Sequence, residues 1–295
     1  MKKSFLSLII VVYSFSGLNA QRLSYQQNPV IDNSAYVNTV PLSNVSFNGN
    51  SLYTNDGSHF LQVNLGNPST ANILFSGHAI EGDFDDHGIL YFTSSTSPTA
   101  NLYSADLTAG VTTLIGSLYG PNISSYDYIL SMSFYNGSMY ATFANNGGDS
   151  DIYTIHLGTG ACSKVNATPM PGFFTVLAID KTGTFYGIEA DANDLYRINP
   201  LSGSVSLVGH TSLYTYEYCD ADFNNFDNTL YFIGQSNGIC TINTTDASVS
   251  QISNVEGYIC AADSPSGIPV PVHPAYLILS FLLIAGGIWI RCRLF

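Results

Sequence analysis

IDKTGTFYGIEADANDLYRINPLSGSVSLVG, residues 179–209, is two kinds of pattern in alternation. Phe185-Tyr186, Leu195-Tyr196 and Val205–Val208 lie in short stretches where apolar and polar side chains alternate. Asp-Lys-Thr-Gly, Asp-Ala-Asn-Asp and Pro-Leu-Ser-Gly interrupt them. Period-two alternation broken by Gly, Asn and Asp describes antiparallel strands joined by tight turns, with a hairpin at the end.

The same writing recurs along the chain. LYSADLTAGVTTLIG from Leu102, IYTIHLGTGACSKVN from Ile152 and ICTINTTDASVSQIS from Ile239 superimpose on LYRINPLSGSVSLVG from Leu195, and FLQVNLGNPSTANILFSG from Phe60 is a weaker copy. Each is preceded by an apolar-tyrosine strand, carrying Tyr53, Tyr91, Tyr140, Tyr186 and Tyr231. A shorter strand comes before that: NVSF at 44, GDFD at 82, SMSF at 131, LAID at 177 and DADF at 220. The tyrosines are 38, 49, 46 and 45 residues apart. Four antiparallel strands at this spacing predict an all-β fold, a β-propeller of four-stranded blades. One blade cannot cover both of its faces, so blades stack around an axis and bury the repeated aromatics between them. YICAADSPSG at 258–267 matches EYCDADFNN at 217–225 and reads as a sixth inner strand, completed by Gln21–Val40. That predicts six blades, with five as the alternative.

These units resemble the NHL-like and quinoprotein-like propeller repeats of secreted bacterial proteins. Such repeats read Asp-x-x-Gly-x-Leu/Phe-Tyr, then Leu-Tyr-x-Ile-Asp/Asn, then a Thr/Ser-Gly turn. Asp180 and Asp85 hold the first position here, whereas Phe47 and Phe134 stand there in other copies. The resemblance spans residues 44–263. It implies a fold and transfers no catalytic residue.

The ends of the chain have a different character. Lys2-Lys3, the apolar Phe5–Val12 and Gly17–Ala20 have the order of an export signal, so 1–20 are read as a signal peptide. Residues 21–263 are the propeller and 264–274 a short Pro/Gly/Ser linker. Residues 275–295 are read as a transmembrane helix with a basic tail. The uncharged stretch Ala275–Ile290 is about 24 Å long as a helix, short for a membrane of roughly 30 Å. Arg291 and Arg293 behind it fit a cytoplasmic end. The arrangement resembles the sorting tails of the PEP-CTERM and IPTL-CTERM type, with Pro269 and Pro271 in the motif. That resemblance implies recognition by an exosortase-like membrane enzyme. A retained anchor is the alternative.

With the signal and tail set aside, Arg22, Lys164, Lys181 and Arg197 face 21 acids, which leaves a net charge near −17. Such a surface repels phosphate backbones and excludes nucleic acid as a partner. Cations, neutral glycans and basic proteins fit it better. Four body cysteines, Cys162, Cys219, Cys240 and Cys260, lack zinc-knuckle spacing. Four cysteines allow three pairings.

No nucleophile elbow, HExxH, phosphate loop or EF-hand loop occurs in a fitting context. Acids cluster at Glu81–Asp86, at Asn145–Asp151 and at Glu189–Asp194, the last two in the same loop of successive repeats. Asp, Asn and Gly make turns on their own account. Calcium is also served by several hard oxygens on a bent loop, so Asp149, Asp151, Asp191 and Asp194 are its candidate ligands. Tyr214, Tyr216 and Tyr218 lie on one side of an extended segment, as do Tyr126 and Tyr128. Both segments enter a blade, and exposed tyrosines there would stack on sugars or grip a protein. The composite expectation is an exported, surface-displayed binding, adhesion or structural module. The alternative is a polysaccharide hydrolase or lyase using carboxylates on one face, such as Asp83 and Asp222.

Overall fold

A computed structural model describes residues 49–262, except 70, 98, 108–110, 125–126, 146, 216–218 and 258–260. Every element among them is a strand, twenty in all. Blade 1 is formed by β1 (Ser51–Asn55), β2 (His59–Asn64) and β3 (Ala71–Ser76), with β20 (Ala261–Ala262) as its inner strand. Blade 2 is β4 (Glu81–Phe84), β5 (Ile89–Thr93), β6 (Asn101–Asp106) and β7 (Val111–Ser117). Blade 3 is β8 (Tyr128–Tyr135), β9 (Ser138–Ala144), β10 (Ser150–Ile155) and β11 (Cys162–Lys164). Blade 4 is β12 (Phe174–Ile179), β13 (Phe185–Glu189), β14 (Asp194–Ile198) and β15 (Val205–His210). Blade 5 is β16 (Cys219–Asn224), β17 (Thr229–Gly234), β18 (Gly238–Ile242) and β19 (Val249–Ser253).

The propeller therefore has five blades, and the preference for six is corrected. The inner strands β20, β4, β8, β12 and β16 follow one another around a closed ring. The strand at 261–262 does not begin a new blade. It pairs with β1, placing Tyr53 opposite Ala261 and Leu52 opposite Ala262. The first and last repeats are thus two parts of one blade, which ties the ring shut across the chain's length. NVSF at 44–47, read as the inner strand of blade 1, lies outside the described residues, as do Gln21–Val40.

The local reasons for these strands are the ones the repeat predicts. Asp85 Oδ1 accepts from the N–H groups of His87 and Ile89 at 2.9 Å, which closes the β4–β5 turn. Asp180 Oδ1 does the same for Thr182 and Thr184, so the repeated Asp is a turn residue. Between β8 and β9, Asn136 and Gly137 have φ of 50° and 80°, the two-residue hairpin geometry that Asn-Gly favours. The equivalent positions His156, Asn199 and Asn243 cap the outer hairpins by accepting N–H bonds two residues on.

Aromatics fill the spaces between blades. Tyr53 packs edge-on against Phe84 at 4.9 Å between blades 1 and 2, and Tyr140 against Phe185 at 5.0 Å between blades 3 and 4. Tyr186 meets Phe223 at 5.5 Å between blades 4 and 5. The rims are fastened separately, because the segment leaving an outer strand docks on the next blade's outer hairpin. Cys162 N donates to Tyr119 O, Ala167 N to Leu201 O, and Ser253 Oγ to Pro68 O. A register shift between the third and fourth strands recurs in blades 1, 2, 4 and 5. Bulges of this kind twist an edge strand away from unwanted pairing.

Candidate functional site at the propeller axis

The repeat fixes which residues meet at the axis. The inner-strand residue opposite each repeated tyrosine is Ala261, Asp83, Ser133, Ala178 and Asp222, going round from blade 1 to blade 5. Two residues earlier on the same strands stand Glu81, Ser131, Val176 and Asp220. Side chains two apart on a strand share a face. Blades 2, 3 and 5 therefore supply two polar layers, while blade 4 and the closing strand supply small or apolar groups.

Contacts across the ring bring these layers together. Ser131 Oγ of blade 3 donates to Asp220 Oδ1 of blade 5 at 2.7 Å, and accepts from Leu177 N of blade 4 at 2.9 Å. Asp83 is held by two backbone donors, Phe84 N at 2.7 Å and Phe134 N at 2.6 Å. Exposure is 5% for Glu81, 3% for Asp83, 0% for Asp220 and 6% for Asp222. Burial, reinforced by Asp220, holds the Glu81 carboxyl well above the ordinary carboxylate range. Burial raises Asp83 likewise, followed by repulsion from Asp222, with the two N–H bonds acting in the opposite direction. Cys219, beside this cluster, is a free thiol pushed far up by burial and then by Glu81 and Asp220.

None of the described Lys or Arg residues offsets these charges. Lys164 pairs with Asp151 at 2.9 Å, Arg197 lies over the Tyr186 ring and donates to Thr244 O, and Lys181 sits in the β12–β13 turn. Two oxygens of the cluster, Glu81 Oε2 and Ser133 Oγ, are buried without a hydrogen-bond partner. Chemically the axis is a set of buried carboxyls of which Glu81 and Asp83 are held towards their protonated forms, whereas the acids and histidine close enough together to share an ion among the described residues are Asp85, Asp86 and His87 in the β4–β5 turn.

The sequence-predicted residues fall in two places. Asp83 and Asp222 occupy equivalent positions on the inner strands β4 and β16, and repulsion from Asp222 helps to raise Asp83. The loop acids lie in the β9–β10 and β13–β14 connections or at their edges, equivalent positions of blades 3 and 4. Their oxygens already have protein partners. Asp149 accepts from Gly172 N, Asp151 from Asn166 and Lys164, and Asp194 contacts His210 at 3.0 Å. Asp191 is exposed. Tyr214 is 43% exposed, on the segment entering blade 5, and Tyr128 is half-buried at the start of β8. Asn237 clamps the Tyr214 backbone on both sides, accepting from its N–H at 3.3 Å and donating to its carbonyl at 2.7 Å. Tyr126, Tyr216, Tyr218, Cys260, Pro269, Pro271, Arg291 and Arg293 lie outside the described residues. Cys162, Cys219 and Cys240 are free, buried thiols. Ser131, Ser133 and Asp220 are the site residues that reading the sequence for motifs missed, although aligning inner strands on the repeated tyrosine places all three; Glu81 was visible in the cluster Glu81–Asp86.

No protein family matches the sequence, and no curated protein does. Among solved structures the fold is similar to a chain of a nidogen/laminin complex, at 12% identity and a TM-score of 0.48, covering 72% of this chain and 98% of that one. It is also similar to a gluconolactonase from Xanthomonas campestris, at 11% identity and 0.49, covering 71% and 74%. TolB from Acinetobacter baumannii matches at 15% identity and 0.42, covering 68% of this chain and 51% of TolB. These likenesses concern the propeller fold alone. The chain is a five-bladed β-propeller with an acidic, buried axis.

Proposed function

We propose that this propeller is an exported, surface-displayed binding module. Its ligand, a neutral glycan or a protein, meets the face formed by the segments that enter the blades. The observation that carries this reading is Tyr214, an exposed aromatic whose own N–H and carbonyl are both held by the Asn237 side chain. A rigidly presented ring loses little freedom on binding, and its face and hydroxyl suit sugars as well as peptides. The acidic body and the signal-like and tail-like ends support display outside the cytoplasm.

The second reading, a polysaccharide hydrolase or lyase, is favoured by the electrostatic coupling of Asp83 to Asp222 from equivalent inner-strand positions. Their burial weighs against it, because a glycosidic bond must reach both carboxyls and neither is open to a polymer. A glycan-array and protein-binding screen of the full-length chain tests the choice. Tyr214→Ala is expected to weaken the best ligand while the melting temperature stays unchanged. Loss of folding in that variant would assign the ring to packing, and release of reducing ends from a polysaccharide, abolished in Asp83→Asn, would replace binding with hydrolysis.

A further inference from the structure

The inner edge of β1 has room for one strand, and the chain carries two sequences written for it. One is β20, which sets Ala261 opposite Tyr53 and Ala262 opposite Leu52. The other is NVSF, 44–47, which matches SMSF, 131–134, in β8 and is likewise followed within a residue by an Asn-Gly pair. The described residues just after NVSF have the turn of the repeat. Gly49, two residues before β1, has φ of 79°. The residues that lead into the second strand of blades 2 to 5 are Gly88 at 79°, Gly137 at 80°, Gly183 at 83° and Asn228 at 61°. Blade 5 holds the turn in place. Asn224 Nδ2 donates to Gly49 O at 2.8 Å, and a Cβ on Gly49 would lie 2.6 Å from the Phe226 ring. β20 fits the repeat less well. Its match to β16 aligns Cys260 with Cys219 and so Asp263 with Asp222, the residue opposite Tyr231. The repeat register would put Asp263 opposite Tyr53, yet Ala261 stands there, two residues away.

We infer that residues 44–47 are a second inner strand for blade 1, which takes the edge of β1 when the C-terminal strand is drawn out, so that the ring has two ways to close. A two-residue hairpin at Asn48-Gly49 sets Phe47 opposite Asn50 and Asn44 opposite Tyr53. Asn44 and Ser46 then share one face, as Ser131 and Ser133 do on β8. This hairpin is local and asks little of chain entropy, whereas β20 must return from the far end of the sequence. The exchange gives the ring a releasable strap. β20 runs on into 264–274 and the apolar stretch 275–290, so drawing out 258–263 lengthens that tether by about 20 Å at ~3.3 Å per residue. The propeller stays shut while its C-terminal segment extends.

The test uses the full-length chain and prolines in neighbouring pairs, because one of any two successive strand residues turns its N–H towards the partner strand. Ala261→Pro with Ala262→Pro disables β20, and Val45→Pro with Ser46→Pro disables 44–47. The first pair is expected to melt cooperatively, about 5–10 °C below wild type. Its β1 amides stay protected from hydrogen exchange while 258–263 exchanges freely. The second pair melts as wild type does. All four substitutions together lower β1 protection by about a hundredfold or more. A first-pair variant that does not fold, or whose β1 amides exchange freely, makes β20 indispensable and overturns the inference. So does a fourfold variant whose β1 amides are as protected as those of the first pair.

Discussion

Ser131 and Ser133 share a strand, a face and near-complete burial, yet their hydroxyls are used in opposite ways, and this separates them in a mutational test. Ser131 Oγ accepts from Leu177 N at 2.9 Å and donates to Asp220 Oδ1 at 2.7 Å. Ser131→Ala removes both bonds where Asp220, 0% exposed, has no direct access to water. The N–H bond contributes about 1 kcal/mol and the bond to the carboxyl about 1.5–3 kcal/mol. The expected loss is therefore about 2.5–4 kcal/mol. Ser133 Oγ has no partner, so Ser133→Ala removes an unsatisfied group and changes stability by less than about 0.5 kcal/mol. Equilibrium urea unfolding reads the difference. At a slope of about 2–3 kcal/mol/M, Ser131→Ala lowers the midpoint by about 1 M and Ser133→Ala hardly moves it. Equal midpoints for the two variants, with unchanged slopes, would refute the two-layer description of the axis.

Two further outcomes follow from the same geometry. In the fold Glu81 and Asp83 keep protons that the unfolded chain releases in the ordinary carboxyl range. Their stabilising contribution is thus complete below about pH 4 and is lost as pH rises towards the raised folded values. The protein should melt at a higher temperature at pH 5 than at pH 8, and Asp222→Asn should narrow that gap; a melting temperature that climbs from pH 5 to 8 contradicts the assignment. Gly137 and Gly203 have φ of 80° and 78°, but a Cβ on Gly137 meets nothing within 4 Å whereas one on Gly203 would lie 2.0 Å from Thr168 O. Gly137→Ala should cost about 1–2 kcal/mol of backbone strain. Gly203→Ala should cost clearly more, because Thr168 fastens blade 3 to blade 4, and thermal unfolding of the pair checks the ranking.

The blades were legible because each strand pair is written locally. Alternation sets the faces, Asp85 and Asp180 close their turns, and the repeated tyrosines mark the second strand. The blade count was not, because closure is non-local. Ala261–Ala262 carries the pattern of an inner strand but no sign that its partner, β1, lies some two hundred residues earlier. Asp83 and Asp222 were legible as an acidic pair, since they occupy one repeat position. Glu81 was visible in its local acid cluster, but Asp220 and the two serines of β8 were hidden from a motif-based search, which looks for residues near in sequence. The axis instead gathers residues equivalent in successive repeats. The loop acids 149, 151 and 194 illustrate the converse. Close in sequence and equivalent in the repeat, they spend their oxygens on Gly172, Lys164 and His210.

That contrast bears on why a chain with so few basic residues would bury its acids at all. Outer-loop carboxylates are solvated or satisfied by neighbouring donors and cost the fold little. Axial ones come from blades 2 and 5, the two neighbours of the closing blade, and not from blade 4, which places Val176 and Ala178 there. If the acids served only solubility, their position on the inner strands would be the worst available. Mutual repulsion between β4 and β16 would strain the ring where β20 is shortest. Protons held on Glu81 and Asp83 remove much of that repulsion across the closure. The ring's stability then depends on the protonation of its centre, which the pH series reads.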